Sequence, residues 1–110
     1  MSLKLIPTPE FAKNVKKLQK RFRLIYKDLE NLQIELSNNP LSGINLGGNC
    51  YKLRLSNSSI PTGKSGGFRI IYFYLISQDL IYLLAIFSKS DLENISEDKI
   101  VELLKNNEFI

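Results

Sequence analysis

Lys52 and Arg54 stand two residues apart in the alternating run Cys50 to Leu55, so on a strand their side chains share a face, about 7 Å apart. Arg69 enters the otherwise apolar run Phe68 to Ile76. A charge at that position must reach solvent at a sheet rim or meet an anion, because a bare buried charge is costly. If the two runs pair antiparallel, Arg69 lies beside Lys52 and Arg54 on one concave surface, and Lys64 and Lys89 close the cluster from a glycine-rich loop and from the end of the last strand. Such a set of cations around one hollow, without neighbouring acids, makes an anion site. Plainer readings exist for the same residues. Lys52 and Arg54 would also suit the exposed face of an edge strand, and Arg69 would also suit a structural pair with a helix acid such as Glu35.

Gly63-Lys64-Ser65 imitates the end of a phosphate-binding P-loop. The motif's first glycine is replaced by Ser58, and the residues that follow are β-branched and aromatic rather than helical, whereas a P-loop leads into a helix N-terminus. The chain has no histidine, which excludes histidine-dependent nucleophile triads. Acid–base chemistry near neutral pH then falls to a lysine destabilised by neighbouring cations or to a carboxylate with a raised pKa. The late acids Asp91, Glu93, Glu97 and Asp98 lack the placement of a two-carboxylate mechanism. Tyr72 and Tyr74 alternate onto the face opposite Arg69, and Tyr51 alternates away from the basic pair, so all three read as core.

The elements that must hold these side chains follow from periodicity. Leu3 to Ile6 reads as an edge strand ended by Pro7. Thr8-Pro9-Glu10 is a helix start: a cap, a proline at the first position and an acid in the first turn. Phe11, Val15, Leu18, Phe22, Ile25, Leu29, Leu32 and Leu36 form one stripe at spacings of three and four. Because the strand-rich remainder needs a cover, the stripe is read as a helical hairpin turning near Phe22-Arg23 and stopped by Asn38-Asn39-Pro40. Leu41 to Asn49 reads as a loop, Cys50 to Leu55 as a strand, and Asn57 to Gly67 as a polar loop. Phe68 to Ile76 and Leu80 to Ser88 form an antiparallel hairpin across a three-residue turn, and Ser96 opens a last helix with Ile100, Leu103 and Leu104 on its apolar side. The expected fold is α+β: one domain over residues 1–110, β-α-α-β-β-β-α, with a small antiparallel-rich sheet packed against an N-terminal helical hairpin.

At 110 residues, 44% apolar and 24% charged, the chain has the composition of a soluble globular domain. Its apolar runs fall far short of the roughly 20 residues a membrane helix needs, and the N-terminus lacks signal-peptide features. The single Cys50 forms no internal disulfide, and nothing has metal-ligand spacing. A cytoplasmic protein without metal, cofactor or membrane partner is the expectation. Charge is lopsided. Residues 1–76 hold twelve Lys and Arg against four Asp and Glu, while residues 77–110 hold three against seven. The basic part suits a polyanion partner, although Lys13, Lys16, Lys17, Lys20 and Lys27 also fit an ordinary solvated helix face.

Taken in order, Tyr51-Lys52-Leu53-Arg54, the segment GKSGGFRIIY from Gly63 to Tyr72, and Ile86-Phe87-Ser88-Lys89 resemble the RelE/ParE superfamily of bacterial toxins, above all its RelE and HigB-like branches. The helical TPEFAKNVKKL and the NNPLSG exit extend the resemblance over nearly the whole chain. It implies a ribosome-dependent endoribonuclease that cleaves messenger RNA in the ribosomal A site without metal and is neutralised by a cognate antitoxin. It further implies that Lys52 and Arg54 are the strand bases, Lys52 as the general base, and that Arg69 stabilises the transition state, with Lys64 and Lys89 contacting phosphate. RelE carries an arginine just after the lysine that ends its last strand, and a functional tyrosine a few residues on. Here Ser90 and Asp91 follow Lys89, and Leu92 to Ser96 holds no tyrosine. The general acid is therefore unassigned, with Lys64 and Lys89 as candidates. Two alternatives stay open: a ParE-like toxin that binds DNA gyrase, and a degenerate toxin kept for antitoxin binding.

Overall fold

A computed structural model describes residues 3–61, 66–92 and 94–110. Its elements are β1 (Lys4–Pro7), α1 (Pro9–Gln19), α2 (Ile25–Asn38), β2 (Ile44–Gly47), β3 (Cys50–Leu55), β4 (Phe68–Leu75), β5 (Leu80–Ser88) and α3 (Glu97–Asn106). The strands form one sheet in the order β1-β5-β4-β3-β2. The β1–β5 pair is parallel and the other three pairs are antiparallel. This is the expected α+β plan, with β1 at an edge.

Thr8 does two jobs at the first corner. Its Oγ1 accepts from the Phe11 N–H at 3.4 Å as the α1 cap and donates to the Leu83 carbonyl at 2.8 Å, so the helix start is stitched to β5. The Asn14 side chain then accepts from the Ile86 N–H at 3.2 Å. In this way α1 covers the stretch of β5 that β1 leaves unpaired. The helix, though not the apolar stripe, breaks between Gln19 and Ile25 with neither glycine nor proline in the connection. Phe22 stays buried there and meets the Phe68 ring edge-on, centroids 5.5 Å apart. Together α1 and α2 bury Tyr51, Leu53, Leu55, Phe68, Ile70 and Tyr72 on one side of the sheet.

The other side is covered at one end by α3, whose Leu103 and Leu104 pack with Cys50, Ile71, Phe73, Leu84 and Ala85. Phe109, just beyond α3, stacks on Phe73 at 4.5 Å between centroids. Ser96 caps α3, accepting from the Lys99 N–H at 3.1 Å. The C-terminal helix therefore faces the hairpin helices across the sheet.

The stretch Leu41 to Asn49, expected as a loop, contains β2. All four β2 residues are exposed, so no face is buried and no alternation marks the strand. It exists because Gly47, Gly48 and Asn49, all at positive φ, fold it back onto β3.

Tyr72 ties β4 to the α2 exit. Its hydroxyl donates to the Pro40 carbonyl at 2.8 Å and accepts from the Gly43 N–H at 3.0 Å, and its ring stacks on Tyr51 at 5.1 Å. Burial pushes its pKa up to about 12. The unfolded chain therefore loses this proton first as pH rises above the usual tyrosine value near 10. From there stability falls until the folded group ionises near 12. Tyr72→Phe is expected to remove that alkaline slope and to cost about 1–3 kcal/mol at neutral pH, since both partners lose a bond; urea melts at pH 7 and at pH 11 would show both effects.

Candidate phosphate-binding face

The basic face is built from strand register. Arg54 lies directly opposite Arg69, Lys52 opposite Ile71, and Arg69 opposite Phe87 on its other side. Leu53, Leu55, Phe68 and Ile70 point toward α1 and α2, so alternation turns Lys52, Arg54 and Arg69 to the face that α3 shares. The apolar half of that face lies under α3 and the cations occupy the half beyond it. The antiparallel pairing expected from sequence thus brings these three together.

Their burial differs. Arg69 is 4% exposed and its Nη1 donates to the Phe68 carbonyl at 3.3 Å, while Lys52 is half-buried and Arg54 exposed. Arg54 and Arg69 set two like charges at directly opposed positions of neighbouring strands, an arrangement that other groups have to compensate. An anion approaching this face would be attracted by both charges. Beside them, a cavity of ≈ 410 Å³ is lined by Glu35, Ser42, Ile44, Lys52, Leu53 and Arg54. Glu35 accepts there from Ser42 Oγ at 2.5 Å. Nor is β3 an edge strand, since β2 pairs with it as far as Lys52.

Lys89 follows the last residue of β5, and its N–H donates to the Gly67 carbonyl at 3.1 Å, two residues before Arg69. Its half-buried side chain therefore starts from the rim of the same end of the sheet. Lys64 lies outside the described residues. Tyr51 and Tyr72 belong to the core on the opposite face, as their alternation implies. Burial also raises the Cys50 thiol pKa, which leaves it un-ionised and unsuited to nucleophilic chemistry. Among the described residues no group of three or more His, Cys, Asp or Glu could hold a metal ion, and no helix is long and apolar enough to cross a membrane.

Two residues at this end had no signal in the sequence. Arg21, from the exit of α1, places Nη1 2.6 Å from Asp91 Oδ2 and its guanidinium 4.8 Å over the Phe22 ring. That pair closes the corner through which β5 leaves the sheet. Asn94, in the segment from β5 to α3, accepts from Lys52 Nζ at 3.0 Å. Separations of 70 and 42 residues put both contacts beyond any local pattern.

A family model described as the RelE toxin of the RelE/RelB toxin–antitoxin system matches residues 11–108. Among solved structures, the isolated E. coli RelE toxin is similar at 16% identity and TM-score 0.57, over 96% of this chain and 98% of that one. A mutant E. coli RelE in the free state is similar at 18% identity and TM-score 0.58, over 84% and 90%. The intact E. coli RelBE toxin–antitoxin complex matches at 17% identity and TM-score 0.55, over 78% and 94%. No curated protein matches the chain.

Proposed function

The chain belongs to the RelE toxin family, and from that membership and its basic face we propose that it is a ribosome-dependent endoribonuclease that cuts messenger RNA and is neutralised by a cognate antitoxin. The observation that carries the reading is the cross-strand register of Arg54 with Arg69, with Lys52 on the same face. Three cations on one face of adjacent strands suit a phosphodiester, and none of them requires a metal to act.

In this scheme Lys52 takes the proton from a ribose 2′-hydroxyl, whose oxygen attacks the adjacent phosphorus. RNA alone supplies that hydroxyl. The bond from phosphorus to the 5′ oxygen breaks, leaving a cyclic phosphate and a 5′-hydroxyl end. Arg54 holds the phosphate in place, and Arg69 neutralises the charge that grows on its oxygens in the transition state. Lys89 is the candidate proton donor to the leaving oxygen, and Lys64 a further phosphate contact.

The RelBE complex is a toxin–antitoxin assembly of a relative. For this chain, a cognate antitoxin segment carrying carboxylates would cover the same basic face in the cytoplasm. Its association rate would then fall as salt rises.

The test is to induce the protein in a bacterial host and map new 5′ ends on translated messages, with and without a translation block. Cuts confined to translated frames are expected. Lys52→Ala should weaken them by about 10²–10⁴-fold, the usual loss of a general base. Growth arrest without cuts would replace the nuclease reading by gyrase binding; no arrest would leave an antitoxin-binding protein.

A further inference from the structure

We propose that Asn94 is a positioning residue of the cleavage site: it holds Lys52 over the basic face. The inference rests on the nuclease reading above.

The contact is one hydrogen bond, Lys52 Nζ to Asn94 Oδ1 at 3.0 Å. The amide oxygen is the end of Asn94 that faces Lys52 and accepts from its Nζ. The Nδ2 end then points away from Lys52. Asn94 is itself exposed, so the bond to Lys52 is made at the surface of the basic face.

The choice of a neutral partner has a chemical consequence. A carboxylate at this distance would bind Lys52 more tightly, but it would favour the charged ammonium and compete with the anion for it. An amide fixes the flexible four-carbon stem without adding negative charge to the face. Loose lysines sample many rotamers, and a general base must lie within hydrogen-bond reach of the proton it abstracts.

The location is equally specific. Asn94 belongs to the segment that leaves β5 beyond the Arg21–Asp91 pair and enters α3 at Ser96. Asn94 thus stands in sequence between two fixed points, that pair and the Ser96 cap, and meets β3 across a 42-residue separation.

The test uses the full-length toxin and ribosomes programmed with a message, in single-turnover cleavage. Asn94→Ala should slow cutting about tenfold at saturating ribosomes while the half-saturating ribosome concentration moves less than twofold, the signature of lost transition-state geometry. In a Lys52→Ala background, Asn94→Ala should add nothing, because both substitutions remove one interaction. Lysine side-chain NMR should show the Lys52 ε-methylene signal displaced by Asn94→Ala with the other lysines unmoved. Asn94 is exposed, so an unchanged melting temperature is expected and separates geometry from folding. Full-rate cutting by Asn94→Ala, or a loss that adds independently to Lys52→Ala, would overturn this inference alone. A wild-type toxin that leaves the message intact would overturn the nuclease reading and this inference with it.

Discussion

Replacing Arg69 by alanine is expected to abolish message cleavage, lowering the rate by about 10²–10³-fold, the usual loss of one preorganised donor aimed at developing charge. Arg69 is the deepest of the described cations, 4% exposed, so its charge acts through less water than that of Arg54 and has more leverage on a phosphate. The position is also the one where a folding artefact has to be separated from a chemical effect. Arg69→Ala removes a buried side chain and its bond to the Phe68 carbonyl, and so opens space in the sheet face. Arg69→Gln keeps most of the volume while removing the charge. Both variants should lose cleavage to a similar degree. Thermal melting and capture by the cognate antitoxin would establish that each is folded. A folded Arg69→Gln that cuts within fivefold of wild type would remove Arg69 from the mechanism and leave Lys52 and Arg54 as an RNA-binding pair.

Gly67→Ala is expected to be more damaging than alanine at Gly43, Gly47 or Gly48. A Cβ at this residue would stand 2.1 Å from the Leu55 carbonyl oxygen and 3.1 Å from the Asn57 nitrogen. Both obstacles are backbone, so no side-chain rotation relieves them. The strand entry must move away from β3, which disturbs the bond from the Lys89 N–H to the Gly67 carbonyl and displaces Phe68, a fully buried residue. A loss of about 3 kcal/mol or more follows for a clash of this kind, which lowers the melting temperature by roughly 12 °C or more in a domain this small. Cleavage should fall as well, since Arg69 follows two residues later. Gly48→Ala is the control. Its φ of +58° is strained for alanine, but nothing lies within 4 Å of the added carbon, so a loss near 1 kcal/mol is expected. Equal melting temperatures for the two variants would contradict the close approach at Gly67.

Much of the scaffold was legible in the order of residues. Thr8-Pro9 marks the α1 start because capping is local chemistry. The stripe from Phe11 to Leu36 predicts a helical cover because one-sided burial imposes its period on the chain. The alternation in Cys50 to Leu55 and the position of Arg69 in the next strand predict which cations share a face, since a strand turns successive side chains to opposite sides.

The remainder needed the tertiary structure. β2 buries nothing, so it writes no period into the sequence. The turn between α1 and α2 lies in an unbroken stripe, and Phe22 settles it by packing on Phe68, 46 residues away. Likewise the side of the sheet that α3 occupies, the Arg21–Asp91 corner and the hold of Asn94 on Lys52 join segments with no local relation. What the sequence by itself determined was the family, the local elements and the shared face of Lys52, Arg54 and Arg69, because each depends on neighbours in the chain. The partners of those cations and the shape of their rim were decided only by the fold, because long-range contacts follow from how layers pack and leave no trace in local periodicity.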